Sequence, residues 1–535
     1  MKKILALILA FALLACMLTA CKKTKKKGSG GGLFDDLGDD ADESYMWYES
    51  DAYTESNWYT ESESPAIQGT DRLEGQNGET LKYVLIYNPG IYNEEDGVYN
   101  QSLSTGDFGM QVDTDGFRGG ELETDKPVQS WDQGQWGKNI PWNEFNAEGN
   151  RGDGLSPSYK KGDHHIFYTM GYYDFGETRI RRDFACMYAG TFCNIWVSGL
   201  NLSQSLIDHY GREFDQRIYT GVTEAFGTPR FDGNINILVY PFSEDGIAGY
   251  FYGLDLFATG EYSQSIVEGY GINLDHNILN LNGTLLQAAE RNDELEFFMQ
   301  GTMAHELQHL IAFTDSMATF GGDYSYSTWL NEAMSGYIEE QLYPGTMEVG
   351  GRYSEYLYGT SIRHGQSLYN FSTDLDIGVY GSVYLFSEYL ANLGGDDIFS
   401  KIHNYWRTSY SYTLSDAEAI AKAVPASVYA QINQSVSYPG SVYFENSDWM
   451  WLSKLTLQFY LATLAYDRTD PAAFSNLIAD AMLYDEINAA NIEGGGRILI
   501  AVRNGVFEIP EDADSGLIYI GLNSDFEVIT DMYYN

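Results

Sequence analysis

Apolar and polar positions alternate in the first half of the chain and follow helical spacing in most of the second half. Two-residue alternation or short unbroken apolar runs predict strands, at 81–87, over much of 164–200, and at 234–242, 250–257, 278–281, 497–502 and 516–522. Apolar residues three and four positions apart predict helices, at 203–214, 295–313, 328–342, 379–393, 398–406, 416–423 and 449–464. Strands first and helices later favour the α+β class over a doubly wound parallel sheet. We expect an N-terminal β-rich region, a mostly helical middle and a small C-terminal β unit.

One predicted hairpin carries the two cysteines that lie beyond the N-terminal leader. Alternation runs on both sides of Ala189-Gly190 in the segment FACMYAGTFCNIWV, which is typical of two strands joined by a tight turn. A turn centred there places Cys186 opposite Cys193 and predicts a disulfide, which an oxidising compartment permits. The alternative is two reduced cysteines that pack as small apolar residues.

The first 21 residues have the pattern of an export signal. Two lysines precede an apolar run at 4–18, which is too short to span a bilayer comfortably. The run closes with Leu-Thr-Ala-Cys at 18–21, which resembles the lipobox of bacterial lipoproteins, so Cys21 is the predicted lipidation site. Cys16 closes a similar Leu-Leu-Ala-Cys after a shorter apolar run, and an ordinary cleaved signal is the other alternative. The prediction is an exported chain that a lipid anchors to a bacterial membrane or cell surface.

Changes in composition divide the chain into consecutive parts. Lys and Gly dominate 22–32, and acidic residues, Ser and Tyr dominate 34–63, so this stretch is predicted to be flexible and solvated. The predicted parts are a signal peptide at 1–20, an acidic tether at 21–77, a β-rich domain at 78–200, a catalytic domain at 201–440, and a helical segment with a small β unit at 441–535.

The charge of the chain is strongly acidic and unevenly placed. The net charge is −45, and seven of the 31 Lys and Arg residues lie in the first 27 positions. Such a surface repels phosphate backbones, which excludes nucleic acid as a partner. It also attracts Ca²⁺ or basic substrates, so Ca²⁺ is retained as an alternative second ion, although solubility outside the cell is the simpler explanation.

The residues with the clearest chemistry are His-Glu-Leu-Gln-His at 305–309, inside a predicted helix. Positions i and i+4 share one helix face, so His305 and His309 can hold the same metal ion. Glu306 lies about 100° further round the helix, beside the ion without binding it, where a base for water belongs. Neutral imidazole suits Zn²⁺, and three protein ligands leave a position for water. The alternative for two histidines on an apolar helix is a pair of satisfied core residues.

Glu332 is the predicted third ligand. It follows His309 by 23 positions, and a Gly-Gly-Asp turn between them lets the next helix fold back beside the first. Asn331 is expected to hydrogen-bond a ligand histidine or the adjacent backbone. Glu339 and Glu340 are rival ligands, but they lie two turns further along the same helix.

The motifs at 305 and 332 resemble those of the gluzincin metallopeptidases. HELQH followed by NEAMS is similar to the thermolysin pattern, and AHELQHLI with WLNEAMSGYIEE looks closest to the hyicolysin family. The resemblance implies a gluzincin-like catalytic domain that binds zinc and hydrolyses peptide bonds, with Glu306 as the general base. The Gly-Ala-Met-Glu-Asn type of motif found in exopeptidase relatives does not occur in the sequence, which favours an endopeptidase.

The chain departs from the thermolysin pattern at Gly336, where the resemblance implies an Asp that orients a histidine. Ser335 or a backbone carbonyl is the expected substitute. Related enzymes supply a Tyr or His from a later helix or loop to stabilise the oxyanion, and this implies Tyr380, with Tyr384 and His364 as rivals.

Three further histidines, His164, His165 and His276, are expected to be structural, because no acid stands at ligand spacing beside them. The strand at 278–281, just before the metal-binding helix, is expected to border the cleft and to pair with the substrate backbone. Two other functions remain open on the sequence alone: a surface adhesin that has kept a peptidase fold, and a zinc hydrolase of a non-peptide bond.

Overall fold

The computed structural model describes most of the chain after residue 71. The described ranges are 72–94, 97–100, 102–108, 111, 159–170, 179–230, 233–242, 247–256, 268, 271–274, 276–320, 327–346, 364–370, 377–408, 415–438, 442, 444, 446–464, 483–484, 489–530 and 532–534. The predicted signal, both lipidation candidates Cys16 and Cys21, and the tether up to residue 71 lie outside them. Within these ranges, no helix combines the length and the apolar character needed to cross a membrane.

The largest sheet has six strands: β6 (His164–Met170), β7 (Arg179–Ala189), β8 (Cys193–Val197), β9 (Ile235–Tyr240), β10 (Gly249–Phe251) and β11 (Ile278–Asn282). Their spatial order is β10-β11-β9-β8-β7-β6. The pairs β8/β9 and β9/β11 are parallel, and the other pairs are antiparallel. Strands β8, β9 and β11 are buried along their whole length, which explains why their sequences are nearly continuous apolar runs interrupted by buried Asn.

Two predictions about this sheet are wrong. The strand at 278–281 pairs with β10 on one side and with β9 on the other, so neither of its edges can take a substrate backbone. The strand predicted at 250–257 ends at Phe251, because the chain turns into a short 3₁₀ helix at Gly253–Leu256. Both errors arise because a short apolar run shows burial but does not show which neighbours pair with it.

The hairpin of β7 and β8 is confirmed, but its predicted register is wrong. Cys186 lies opposite Trp196, and Cys193 lies opposite Gly190, so the two cysteines do not face each other. The structure describes both as buried free thiols, and the predicted disulfide is absent. The turn comes later than predicted because the Asp215 carboxylate accepts hydrogen bonds from the backbone N–H groups of the three residues after Gly190.

The strands outside the larger sheet come from both ends of the described chain. They are β1 (Arg72–Glu74), β2 (Tyr83–Tyr87), β3 (Ile91–Glu94), β4 (Gly97–Asn100), β5 (Leu103–Ser104), β12 (Asn491–Ile492), β13 (Arg497–Ala501), β14 (Val506–Glu508), β15 (Ile518–Leu522) and β16 (Tyr533–Tyr534). Four of them form a sheet in the spatial order β13-β2-β15-β16, and the others form the pairs β1/β14, β3/β4 and β5/β12. Strand β2 lies between β13 and β15, so the C-terminal strands complete a sheet that an N-terminal strand begins.

The predicted end of the tether at residue 77 also needs correction. Strand β1 falls inside the stretch assigned to the tether, and it pairs with β14 near the C-terminus. Leu73 is fully buried, so the packed part of the chain begins before residue 78. The other domain limits remain predictions.

The helices occupy the middle of the chain, as expected for the α+β class. They are α1 (Gln204–Glu213), α2 (Tyr219–Phe226), α3 (Gly283–Ala289), α4 (Asp293–Phe320), α5 (Thr328–Leu342), α6 (Ile377–Gly394), α7 (Ile398–Thr408), α8 (Asp416–Ala423), α9 (Ala426–Ser435) and α10 (Ser447–Leu464). A π-helical turn at Phe214–Ile218 joins α1 to α2. Every predicted helix is present, and the sequence placed most ends within a few residues.

Helix α4 extends beyond its predicted limits in both directions, to 28 residues. Its first turn is capped by Asn292, whose side-chain oxygen accepts hydrogen bonds from the backbone of Glu294 and Leu295. Three acidic residues in this turn complement the positive end of the helix dipole. The helix packs against β10 and β11 on one side and against α5 on the other, and the candidate site lies between α4 and α5.

Candidate metal centre

Helix α4 presents His305 and His309 on one buried face. Their rings lie edge to face with centroids 4.7 Å apart. Leu307, Leu310 and Ile311 are fully buried in the core, and this packing fixes the rotation of the helix about its axis. The two histidines therefore point together toward α5, as their i, i+4 spacing predicts.

Helix α5 brings Glu332 to both histidines. Glu332 Oε2 is 3.2 Å from His305 Nε2, and Glu332 Oε1 is 3.4 Å from His309 Nε2. All three side chains are buried, and their nearest donor atoms lie within 4.8 Å of one another. Within the described part of the chain, Glu332 Oε2 is buried without a hydrogen-bond partner. Two imidazoles and a carboxylate that converge in this way fit a tetrahedral Zn²⁺ with one open position.

Electrostatics within this group favour the ionised carboxylate of Glu332. Burial raises its pKa, but the charges of the His309 and His305 rings and their close contacts with the carboxylate outweigh burial and hold the pKa well below the usual range. The carboxylate is therefore ready to bind a cation without first losing a proton.

Glu339 contacts His305, and this contact was not predicted from the sequence. Its Oε2 lies 3.0 Å from Nδ1 of His305, and its side chain is almost completely buried. Gly301 permits this approach, because a Cβ there would come within 3.0 Å of Glu339 Cγ. Glu339 is therefore the group that orients His305, although the sequence suggested it only as a rival ligand. A buried acid seven positions after Glu332, on nearly the same helix face, was the available signal.

The expected substitutes for this orienting role are elsewhere. Ser335 donates its hydroxyl hydrogen bond to the backbone oxygen of Glu332 and not to a histidine. Asn331 Oδ1 is buried, and it has no hydrogen-bond partner in the part of the chain that the structure describes. The contact predicted between Asn331 and a ligand histidine is therefore not formed through this oxygen.

Glu306 is buried beside the group, at 3% exposure. Burial raises its pKa, the two histidines lower it, and the carboxylates of Glu332 and Glu339 raise it further, so that the pKa lies above the usual range. A carboxylate in this position is a stronger base than one in water.

The three candidates for a later tyrosine or histidine are placed differently. Tyr380 and Tyr384 are buried on α6, which packs against α5. His364 lies edge to face with Tyr484, at a centroid distance of 5.1 Å. The packing of α6 against the ligand helix keeps both tyrosines as candidates.

The three histidines that the sequence predicts to be structural lie on or beside the six-stranded sheet. His164 is 3.2 Å from the Asp183 carboxylate at the surface, and His165 packs against Phe167. His276 is buried, and its Nε2 is 2.8 Å from the Tyr159 hydroxyl.

Comparison with curated proteins shows a clear similarity to a metalloprotease. The neutral metalloprotease ShpI of Staphylococcus hyicus is 28% identical to this chain over 227 residues, which cover 40% of this chain and 49% of ShpI. The chain thus matches about half the length of that relative. No protein-family model matches the chain. Together with the buried His-His-Glu group, the similarity supports a metallopeptidase.

Proposed function

We propose that this protein is a lipid-anchored zinc endopeptidase of the gluzincin type that acts outside the cytoplasm. The observation that carries the proposal is the buried convergence of His305, His309 and Glu332, with Glu306 beside them. The similarity to ShpI, named a neutral metalloprotease, supports the same chemistry.

His305, His309 and Glu332 would hold the zinc ion. When bound there, Zn²⁺ supplies Lewis-acid activation of a water molecule and of the scissile carbonyl. Glu339 accepts a hydrogen bond from Nδ1 of His305, which would leave Nε2 of His305 as the atom that binds the ion.

Glu306 accepts a proton from the attacking water and returns it to the leaving amine. Its raised pKa supports this role, because a base whose pKa approaches the working pH can both take and give the proton. Tyr380 is proposed to donate a hydrogen bond to the developing oxyanion, and its support is its place on α6 beside the ligand helix.

Location and anchoring rest on the sequence. The apolar run at 4–18 with Cys21 at its end supports export and lipidation. Labelled palmitate should enter the wild-type protein and not Cys21→Ser. Loss of label in Cys16→Ser alone would instead identify the earlier cysteine.

Glu306→Gln tests the mechanism. We expect the variant to keep one zinc per chain, measured by elemental analysis, because Glu306 does not bind the ion. Casein hydrolysis should fall by about 10²–10⁴-fold, the usual contribution of a general base. A variant with zinc and wild-type activity would remove Glu306 from the mechanism. If the zinc-loaded wild-type protein cleaves no peptide, the proposed endopeptidase activity is wrong.

A further inference from the structure

The third ligand stands close to an end of its helix. Glu332 is the fifth residue of α5, and helix ends fray unless their free N–H groups find acceptors. Ser327, the residue at the N-cap, makes no capping hydrogen bond with its own side chain, and the first turn of α5 contains no acidic residue. Helix α5 thus lacks the usual local means of fixing the turn before Glu332.

A carboxylate from a distant helix supplies the missing acceptor. Asp416, the first residue of α8, is 3% exposed. Its Oδ2 and Oδ1 lie 3.3 and 3.5 Å from the backbone nitrogen of Ser327. Helix α8 does not need this carboxylate for its own cap, because Ser415 Oγ accepts the hydrogen bond from Glu418 N at 3.2 Å.

The burial of Asp416 indicates that this contact is specific. Burial raises its pKa to about 6, although hydrogen bonds from Ser327 lower it. A carboxylate is rarely buried without a partner that stabilises its negative charge. Here the partner is the N-terminus of α5, where the helix dipole favours a negative charge.

We propose that Asp416 is a positioning residue, which caps α5 from α8 and thereby holds Glu332 against His305 and His309. The inference rests on the proposed zinc site. It adds a residue that determines the position of Glu332 and lies 84 positions after it in the sequence. Five residues of α-helix span roughly 7 Å, so loosening of the first turn at Ser327 displaces the Glu332 carboxylate directly.

The other half of α5 is fixed independently of Asp416. Glu339 contacts His305, and the hydroxyl of Tyr343, which follows the helix, donates a 2.8 Å hydrogen bond to Glu213. Loss of the Asp416 cap should therefore disturb the turn that carries Glu332 and leave the later turns in place.

The experiment measures zinc dissociation from the full-length protein into excess chelator. Asp416→Ala should release zinc about 10-fold faster than the wild type, the lower end of the effect of groups behind metal ligands. Asp416→Asn, which keeps an acceptor oxygen, should restore most of the wild-type rate. Ser415→Ala is the matched control: it removes the cap of α8 itself and should lower the melting temperature of the zinc-free protein without faster release.

A second variant tests the donor side of the same contact. Ser327 has φ −58°, which proline adopts without strain, so Ser327→Pro deletes the N–H that donates to the Asp416 carboxylate. It should also speed zinc release about 10-fold, and the double variant with Asp416→Ala should be no faster than either single one. Ser327→Pro by itself still tests the proposal if Asp416→Ala fails to fold.

The outcomes separate the two proposals. A wild-type protein that binds no zinc would refute the proposed function. Zinc release at the wild-type rate from Asp416→Ala and Ser327→Pro would overturn the positioning role while leaving the zinc site intact. Equally fast release from Ser415→Ala would overturn it too, since the effect would then be one of general stability.

Discussion

At the scale of single residues, the proposed site consists of candidate ligands that the sequence predicts and a supporting contact that it does not predict. Helix spacing in the motif at 305–309 predicts two of these ligands, and the position of Glu332 after a turn predicts the third. Glu339 was missed because its contact depends on how closely two helices approach, and that approach depends on Gly301. Local spacing predicts which groups share a face, but not which group the neighbouring helix meets.

Glu339 carries the first residue-scale prediction. Glu339→Ala should weaken zinc binding by about 10–100-fold, because His305 would lose the acceptor that fixes its ring. Glu339→Gln keeps an acceptor oxygen and should lose less. Competition with a zinc chelator gives both affinities.

Glu340→Gln is the control for that series. The Glu340 carboxylate accepts hydrogen bonds from the backbone N–H of Gly345 and the hydroxyl of Thr346, just beyond the end of α5. Its zinc affinity should equal that of the wild type. Unchanged affinity in Glu339→Ala would show that the contact with His305 has no role in binding. Glu332→Ala, by contrast, removes a ligand and should abolish both zinc binding and hydrolysis.

At the scale of elements, the sequence predicted the helices better than the strands. Helices α5 and α8 have the bounds that their apolar spacing predicts, because each turn depends on residues three or four positions away. Strands β10 and β11 depend on partners far along the chain, and the assignment of the substrate-binding edge failed there. The π-helical turn after α1 was also missed, since it accompanies the contact of Asp215 with the distant β7–β8 turn.

An ion network near the end of α4 leads to a prediction of pH dependence. Burial raises the pKa of Asp315, but hydrogen bonds from His403 and Arg230 and the charge of Arg407 outweigh it, so the pKa is lowered. A depressed pKa gives stability that is present above the ordinary value and is lost as the pH falls through the folded value. Urea unfolding of the zinc-free protein should show Asp315→Asn about 3 kcal/mol less stable at pH 7.

The difference between Asp315→Asn and the wild type should shrink as the pH falls below the ordinary carboxyl range and through the lowered pKa of Asp315, because the wild-type carboxylate then also becomes neutral. Asp397→Asn provides a matched control, because Asp397 forms an exposed pair with Lys401. Exposed pairs of this kind contribute little, so this variant should differ from the wild type by less than about 0.5 kcal/mol at any pH. A difference for Asp315→Asn that stays constant with pH would contradict the assigned ionisation.

At the scale of the whole molecule, the sequence predicted the α+β fold class but did not predict that strands from the two ends of the described chain pair in one sheet. The α+β order of strands and helices follows from local periodicity, and the structure confirms it. Strand β2, however, pairs with β13 and β15, which lie more than 400 positions away. No local pattern encodes such partners, so the C-terminal strands looked like a separate small unit.

The four-stranded sheet also contributes to two apolar cores, through the two faces of β2. Leu85 and Tyr87 lie in the core that includes helix α4, whereas Val84 and Ile86 lie in a smaller core under the C-terminal strands. The hydroxyl of Tyr87 also forms hydrogen bonds with Ser453 of α10. Through Leu85 the sheet packs continuously with the core of the site, so we expect the two to unfold together.

Calorimetry of wild type and variants tests this joint unfolding. Leu85→Ala should lower the stability by about 2–5 kcal/mol, as expected for a buried leucine, and it should shift the same transition that zinc removal shifts. Zinc at 100 times its dissociation constant adds about 2.7 kcal/mol to whatever unit contains the site. If Leu85→Ala instead moved one transition and chelation moved another, the sheet would be a unit that folds on its own. Ile86→Ala extends the test to the other face of the sheet, because Ile86 lies on the same strand but in the smaller core. If both variants and zinc removal shift the same transition, the C-terminal strands stabilise the site across the full thickness of the sheet.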